Sequence, residues 1–230
     1  VTPLDDNRRW YRYHHLFADL LQARLHQAEP ERVPQLLLRA ADWCEQDGQV
    51  TEALGYALAA RDYARAAELV ARYWRPVANE GRIETVWGWL SALPEAVVRN
   101  SAPLSIACCW VLWLKGQSDR IESHLVNAEA LLDAPVGKRA FDTHHAVDAP
   151  LLVQVAILRS FVARYHNKFA AAVANAERAR RLASEALPAE ANTQLHAQLH
   201  ALIALALATA YDGAGELDRS AGAYAESIRW

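Results

Sequence analysis

Two groups of imidazole and carboxylate side chains have a composition and spacing that would suit a metal. His196 and His200 stand four residues apart, so a helix would carry both rings on one face at a zinc-compatible separation. Asp142, His144, His145 and Asp148 gather imidazoles and carboxylates into a short stretch, a donor set that transition metals accept. Of the two groups, the His196 and His200 pair is joined by no third ligand at a recognisable spacing. The second falls among Pro135, Gly137 and Pro150, where such residues are usually solvated. Ordinary histidines are the favoured reading of both, and no metal site is expected.

Nucleophilic chemistry is no better marked. Cys108-Cys109 lies inside an apolar run that ends in Trp110, which predicts buried, inert thiols rather than a redox pair. No Ser or Cys stands in a nucleophile motif, and no carboxylate pair is set apart by its context. No catalytic residue is expected, and an enzyme is the least favoured class. A metal-dependent hydrolase would require the histidine groups to converge.

Binding is better supported. The chain has eight Trp, a residue that stacks on sugars and flat ligands. Trp113 follows Trp110 by one helical turn, beside a predicted corner, and charge enters otherwise apolar helices at Arg159 and Arg164. Charge is rarely buried without a partner. That partner is either an internal carboxylate such as Asp212 or Glu216, or an anionic or polyhydroxylated ligand. Trp113, Arg159, Arg164, Gln198 and His200 are the candidate ligand-binding residues, each alone more often a surface or core residue. Changing Trp113 and Arg159 to Ala is expected to reduce a ligand response and leave the helices intact.

The elements that must position these residues are helices. Ala and Leu dominate 230 residues with only nine Gly and nine Pro, an all-α composition. The net charge of −3 disfavours a domain that lives by binding DNA backbone. Three Cys form no disulfide framework, and no apolar run is long enough to span a bilayer, so a cytoplasmic setting without membrane contact is expected. The chain has no Met and stops in helical pattern at Trp230, so it is expected to be a piece of something larger.

One theme recurs along the chain: an apolar-periodic stretch, a turn, then a second stretch rich in small residues. The turns are Gly48-Gln49-Val50, Arg61-Asp62-Tyr63, Gly81-Arg82-Ile83, Gly116-Gln117-Ser118, Asn167-Lys168-Phe169 and Gly215-Glu216-Leu217. Gly or Asn there suits a left-handed residue closing one helix. The pattern predicts a TPR-like α-α superhelix of helical hairpins, in which first helices line a concave groove. Those first helices are placed at about 103–115, 151–165 and 195–211. Loops are expected over 134–150 and 185–192. Arg8 to Tyr13 is β-prone and is expected to leave a small β remnant at the N-terminus.

The opening Trp10-Tyr11-Arg12-Tyr13-His14-His15-Leu16-Phe17-Ala18-Asp19-Leu20-Leu21 resembles the W-[FY]-R-Y-H-x-L-F-x-x-[FL]-L signature that closes the winged-helix domain of MalT-like, ATP-dependent LuxR-family transcription regulators, which are signalling STAND ATPases. The resemblance continues through Arg39 to Gly48, Glu52 to Leu54 with Ala57 to Ala60, Trp89 to Pro94, Pro103-Leu104, Trp110 and Gly116-Gln117, and covers residues 8 to about 133. Trp43, Trp89 and Trp110 coincide with core positions of that family.

The resemblance implies residues 1–29 as the C-terminal tail of a winged-helix domain and 30–230 as a truncated helical-repeat sensor domain. The implied function is inducer sensing and protein interaction within a transcription activator. ATP would belong to the parent protein, since no G-x-x-x-x-G-K-[ST] is present and no cofactor is expected here. DNA would be contacted only through a missing C-terminal domain. Implied partners are a small-molecule inducer or a regulatory protein in the groove, and the parent's other domains. The alternative is a free-standing TPR-like adaptor.

Overall fold

A computed structural model describes the chain apart from residues 1, 4–10, 13, 134–147, 187–193 and 230. The described residues are almost wholly helical. In chain order the helices are α1 His15–Ala28, α2 Arg32–Gln46, α3 Val50–Ala59, α4 Tyr63–Asn79, α5 Ile83–Ala92, α6 Glu95–Arg99, α7 Ala102–Leu114, α8 Ile121–Asp133, α9 Asp148–Tyr165, α10 Phe169–Ala186, α11 Gln194–Ala214 and α12 Leu217–Arg229. A single 3-10 turn, Ser118–Arg120, leads into α8. The chain divides into two compact units, Val1–Leu69 and Val70–Trp230.

The expected β remnant is not seen as an element of its own. Extended pairing among the described residues is limited to Thr2–Pro3 running antiparallel to Tyr11–Arg12. Two residue pairs are too few to hold a sheet together. Tyr11–Arg12 is followed within a few residues by α1, which starts at His15. The loops expected over 134–150 and 185–192 lie largely outside the described residues. Asp148–Pro150 is the start of α9, and Glu185–Ala186 the end of α10.

All six expected corners carry a left-handed residue: Gly48, Arg61, Gly81, Gly116, Asn167 and Gly215 have φ between 57° and 80°. Each corner closes the same way. The left-handed residue donates its N–H three residues back, and the next residue donates five back. At Gly116 these are Gly116 N to Trp113 O at 3.0 Å and Gln117 N to Leu112 O at 2.8 Å. That paired closure satisfies carbonyls the helix end would otherwise orphan. The second donor then serves the next helix: Gln49 O accepts from Ala53 N, Asp62 O from Ala66 N, Arg82 O from Val86 N and Lys168 O from Ala172 N. One residue thus finishes one helix and begins the next, which fixes the register between the two.

That register repeats inside unit 2. Cys109 Sγ donates to Ile121 O at 3.9 Å, Ser160 Oγ to Ala172 O at 2.9 Å, and Ser220 Oγ to Ala208 O at 3.1 Å. Each of these contacts joins residues 12 apart across a corner. They bring small residues face to face, and Ala172, Ala208 and Ile121 are fully buried. Within this unit α7 packs on α8, α9 on α10 and α11 on α12, while α7 lies against α9 and α9 against α11. Gly213 is part of this packing, since a Cβ there would sit 2.4 Å from the Phe169 ring. In unit 1, α2 packs on α3 over Ala41, Cys44, Ala53, Leu54 and Ala57.

Candidate ligand-facing site

The corners supply a coordinate for comparing first helices. Six residues before the left-handed residue stand Arg75 on α4, Trp110 on α7 and Phe161 on α9. These three form one continuous ridge in unit 2. The Arg75 guanidinium carbon lies 5.9 Å from the Trp110 ring centre, and Trp110 meets Phe161 edge-on at 6.3 Å. Trp113, one turn further along α7, stacks parallel to Phe161 at 5.3 Å and 12°. Trp113 is half-buried, Trp110 and Phe161 are buried, and the result is an aromatic strip from Arg75 to Trp113.

Arg75 sits at one end of this strip. Its carbon lies 4.6 Å over the Trp74 ring, and Nη2 donates to Gln154 Oε1. Gln154, buried on α9, is held by two further bonds: Trp110 Nε1 donates to its Oε1 at 3.2 Å, and its Nε2 donates to Pro150 O at 3.2 Å. Among the described residues no carboxylate pairs with Arg75, and burial alone lowers its pKa to about 10. It remains a cation at neutral pH.

The two arginines singled out by the sequence have protein partners, though not the expected ones. Arg159 reaches back to α8, where Nε and Nη2 bind Glu129 at 2.9 and 2.7 Å and Nη1 binds both oxygens of Glu122 at 2.7 and 2.8 Å. Hydrogen bonding to Glu129 raises its pKa, against the opposing effect of burial. Arg164 donates from Nε to Thr209 O on α11 at 3.0 Å. Asp212 and Glu216 pair with neither. Arg159 also borders a cleft of about 430 Å³ lined by Ser118, Glu122, His166, Lys168 and Asn175 among others.

Gln198 and His200 lie half-buried on α11, one helix along from the aromatic strip. The His196 and His200 rings stack at 4.5 Å, and burial followed by the His196 charge lowers the His200 pKa. Among the described residues no three metal-ligating side chains converge; Asp142, His144 and His145 lie outside them, as does the Asp148 side chain. Cys44, Cys108 and Cys109 are all buried, and burial pushes Cys108 up to about 12 and Cys109 higher still. Trp89 and Trp110 are buried as expected, but Trp43 is 50% exposed and is no core residue. Neither Arg75 nor Gln154 stood out in the sequence. Their signal is positional, because Arg75 shares its offset from the corner with Trp110 and Phe161.

Parts of the chain are similar to known proteins. Residues 1–33 match the family described as the MalT winged helix domain. The serine/threonine-protein kinase PknK of Mycobacterium tuberculosis is 33% identical over 132 residues, 54% of this chain and 12% of the kinase. The HTH-type transcriptional regulator MalT of Klebsiella pneumoniae is 25% identical over 129 residues, 56% of the chain and 14% of the regulator. The HTH-type transcriptional regulator AlkS of Alcanivorax borkumensis is 25% identical over 128 residues, 55% and 15%. The chain therefore spans only a small part of the length of these relatives. No solved structure matches it. Residues 1–33 are thus similar to a MalT winged helix domain, and about half of the chain is similar to segments of HTH-type transcriptional regulators and of a serine/threonine-protein kinase.

Proposed function

We propose that this chain is an inducer-sensing and protein-interaction segment of an ATP-dependent LuxR-type transcription regulator, built as a TPR-like superhelix. The observation that carries this reading is the match to a MalT winged helix domain leading into a series of identically closed helical hairpins. Packing supports the superhelix: α9 contacts α7, α8, α10 and α11, so each first helix meets both the preceding hairpin and the next first helix. Repetition of that step curves a stack and leaves the first helices on one side. An inducer would lie on that side, along the ridge that carries Trp113, with Gln198 and His200 further along and the Arg159 cleft beside it. Arg159 and Arg164 already bind protein groups, so their part there is to fix neighbouring helices. The exposed Leu16, Phe17, Leu20 and Leu21 of α1 suit contact with other domains of the parent.

In this reading ATP and DNA are handled by other parts of the parent, and the setting is the cytoplasm. No helix of the described residues is long and apolar enough to cross a membrane. The test is a parent regulator lacking residues 70–230, assayed with a reporter for its target promoter. Signal-dependent expression is expected to disappear while specific DNA binding persists. Unchanged regulation overturns the sensor role. A second reading has one observation behind it, the similarity to PknK: the same segment serving as an interaction arm of a signalling kinase. A kinase domain in the parent reading frame, in place of a phosphate-loop ATPase, would decide for it.

A further inference from the structure

The cleft beside Arg159 lies between two successive hairpins, and each wall keeps a charge of its own. One wall is the 3-10 turn and the start of α8, with Ser118, Asp119 and Glu122. The other is the end of α9 and the corner into α10, with Val162, His166 and Lys168. Arg159 pins the two together, since Nη1 holds both oxygens of Glu122 at 2.7 and 2.8 Å. The opening of about 430 Å³ is therefore built into the joint between hairpins. Its size falls within the range of small-molecule pockets, about 300–1,000 Å³.

Arg159 and Glu122 neutralise one another, and the remaining charges do not. Among the described residues Asp119 pairs with no cation and Lys168 with no carboxylate. The helix ends deepen this division. Glu122 stands in the first turn of α8 and Asp119 just before it, whereas the first turn of α10 has no acidic residue. The positive end of α10 is thus left, beside Lys168, for an anion. Ser118 is an independent sign of a ligand. It is 6% exposed, lines this cleft and makes no side-chain hydrogen bond among the described residues. A buried hydroxyl normally finds a partner in the protein; here the cleft is the direction left to it.

A simple anion would meet Asp119 unopposed, and a simple cation would meet Lys168. A ligand that carries both charges satisfies both walls. We propose that this cleft binds a small aliphatic α-amino acid as its zwitterion. The ammonium group faces Asp119 and the Ser118 hydroxyl, the carboxylate faces Lys168 and the first turn of α10, and the side chain lies on Val162 and Ala163. This deepens the sensor reading by naming a class of ligand and rests on it for its biological meaning; binding itself is measured separately.

The probes are leucine and valine, titrated calorimetrically into the 230-residue chain at neutral pH. Beside them stand N-acetyl-leucine, which lacks the ammonium charge, leucinamide, which lacks the carboxylate, and glucose, which has hydroxyls alone. Both amino acids are expected to give saturable heats. Each capped form should bind about threefold to tenfold more weakly, as suits charged pairs open to solvent. Asp119→Asn should weaken leucine by a similar factor and leave N-acetyl-leucine unchanged. Lys168→Gln should weaken leucine likewise and leave leucinamide unchanged.

Absence of a saturable heat with both leucine and valine overturns the proposal, as do capped forms that bind as tightly as leucine. Glucose binding more tightly than leucine also overturns it, and would make the cleft a polyol site. The comparison of leucine with its capped forms needs no variant, so a poorly folded variant leaves the result decisive. Failure here leaves the reporter experiment on the parent standing; failure there leaves the amino-acid site intact as a binding site.

Discussion

Arg75 on α4 and Arg159 on α9 are the same side chain, in the same unit, and the fold treats them in opposite ways. Arg159 bridges two carboxylates of α8 and holds one hairpin to the next. Arg75 is set against indoles and an amide with no carboxylate among the described residues. The first arrangement is a structural joint. The second costs stability.

The comparison is sharpened most by removing the charge at Arg75. Arg75→Met keeps an unbranched side chain against Trp74, while Gln154 Oε1 still accepts from Trp110, so no acceptor is orphaned. The variant is expected to be more stable by about 1–3 kcal/mol, the range seen when buried charge gives way to apolar packing. Thermal denaturation should show a Tm about 2–8 °C higher. The pH dependence has a definite sign. With its pKa lowered to about 10, Arg75 binds fewer protons in the folded chain than in the unfolded chain above that pH. Wild-type stability should therefore gain relative to Arg75→Met as pH rises from about 10. A lower Tm in Arg75→Met would break the contrast.

A smaller effect of opposite sign is expected at Arg159. Arg159→Met leaves Glu122 and Glu129, two turns apart on one face of α8, without their shared cation. Glu122 is largely exposed, so the loss is discounted to about 1 kcal/mol. Raising the salt concentration should shrink this difference, because exposed pairs are screened, and should leave the Arg75→Met difference in place. Denaturant unfolding at low and high salt measures both.

The smallest effect tests whether burial shifts a titratable group at a second place. Burial, then the neighbouring His196, lowers the His200 pKa, and burial lowers that of His124. Both rings therefore take up a proton less readily in the fold than in the unfolded chain, which protonates them near the ordinary histidine value. Stability should fall as pH drops below about 6.5. His200→Gln should flatten that acid limb by a few tenths of a kcal/mol, read from unfolding midpoints across the range. An unchanged slope would confine the effect to Arg75.

The frame of the molecule was legible in the sequence because corner chemistry is local. A left-handed residue, two back-donating N–H groups and a small residue after the turn all lie within one short window. Gly48, Arg61, Gly81, Gly116, Asn167 and Gly215 therefore stand where the pattern puts them. The partners of long side chains are not local. Arg159 meets Glu129 and Glu122 at sequence separations of 30 and 37, whereas Asp212 and Glu216 were equally plausible on composition. Arg75 was hidden for a related reason. In Trp74-Arg75-Pro76 it reads as the polar face of an amphipathic helix, and only the offset shared with Trp110 and Phe161 turns it inward. Trp43 shows the converse, an aromatic residue placed in the core by resemblance that the fold leaves half in solvent.

Each corner uses one residue to end one helix and start the next, so it contains no spare length. Inserting a residue at Gln117 or Lys168 would unmake two helix ends together. Gains and losses of length during divergence are thereby steered away from the corners. Successive hairpins can drift apart in sequence, and in the spacing between them, while each keeps its internal register. A lineage could then reshape the side chains of one hairpin at a time, without renegotiating the joints that hold the others.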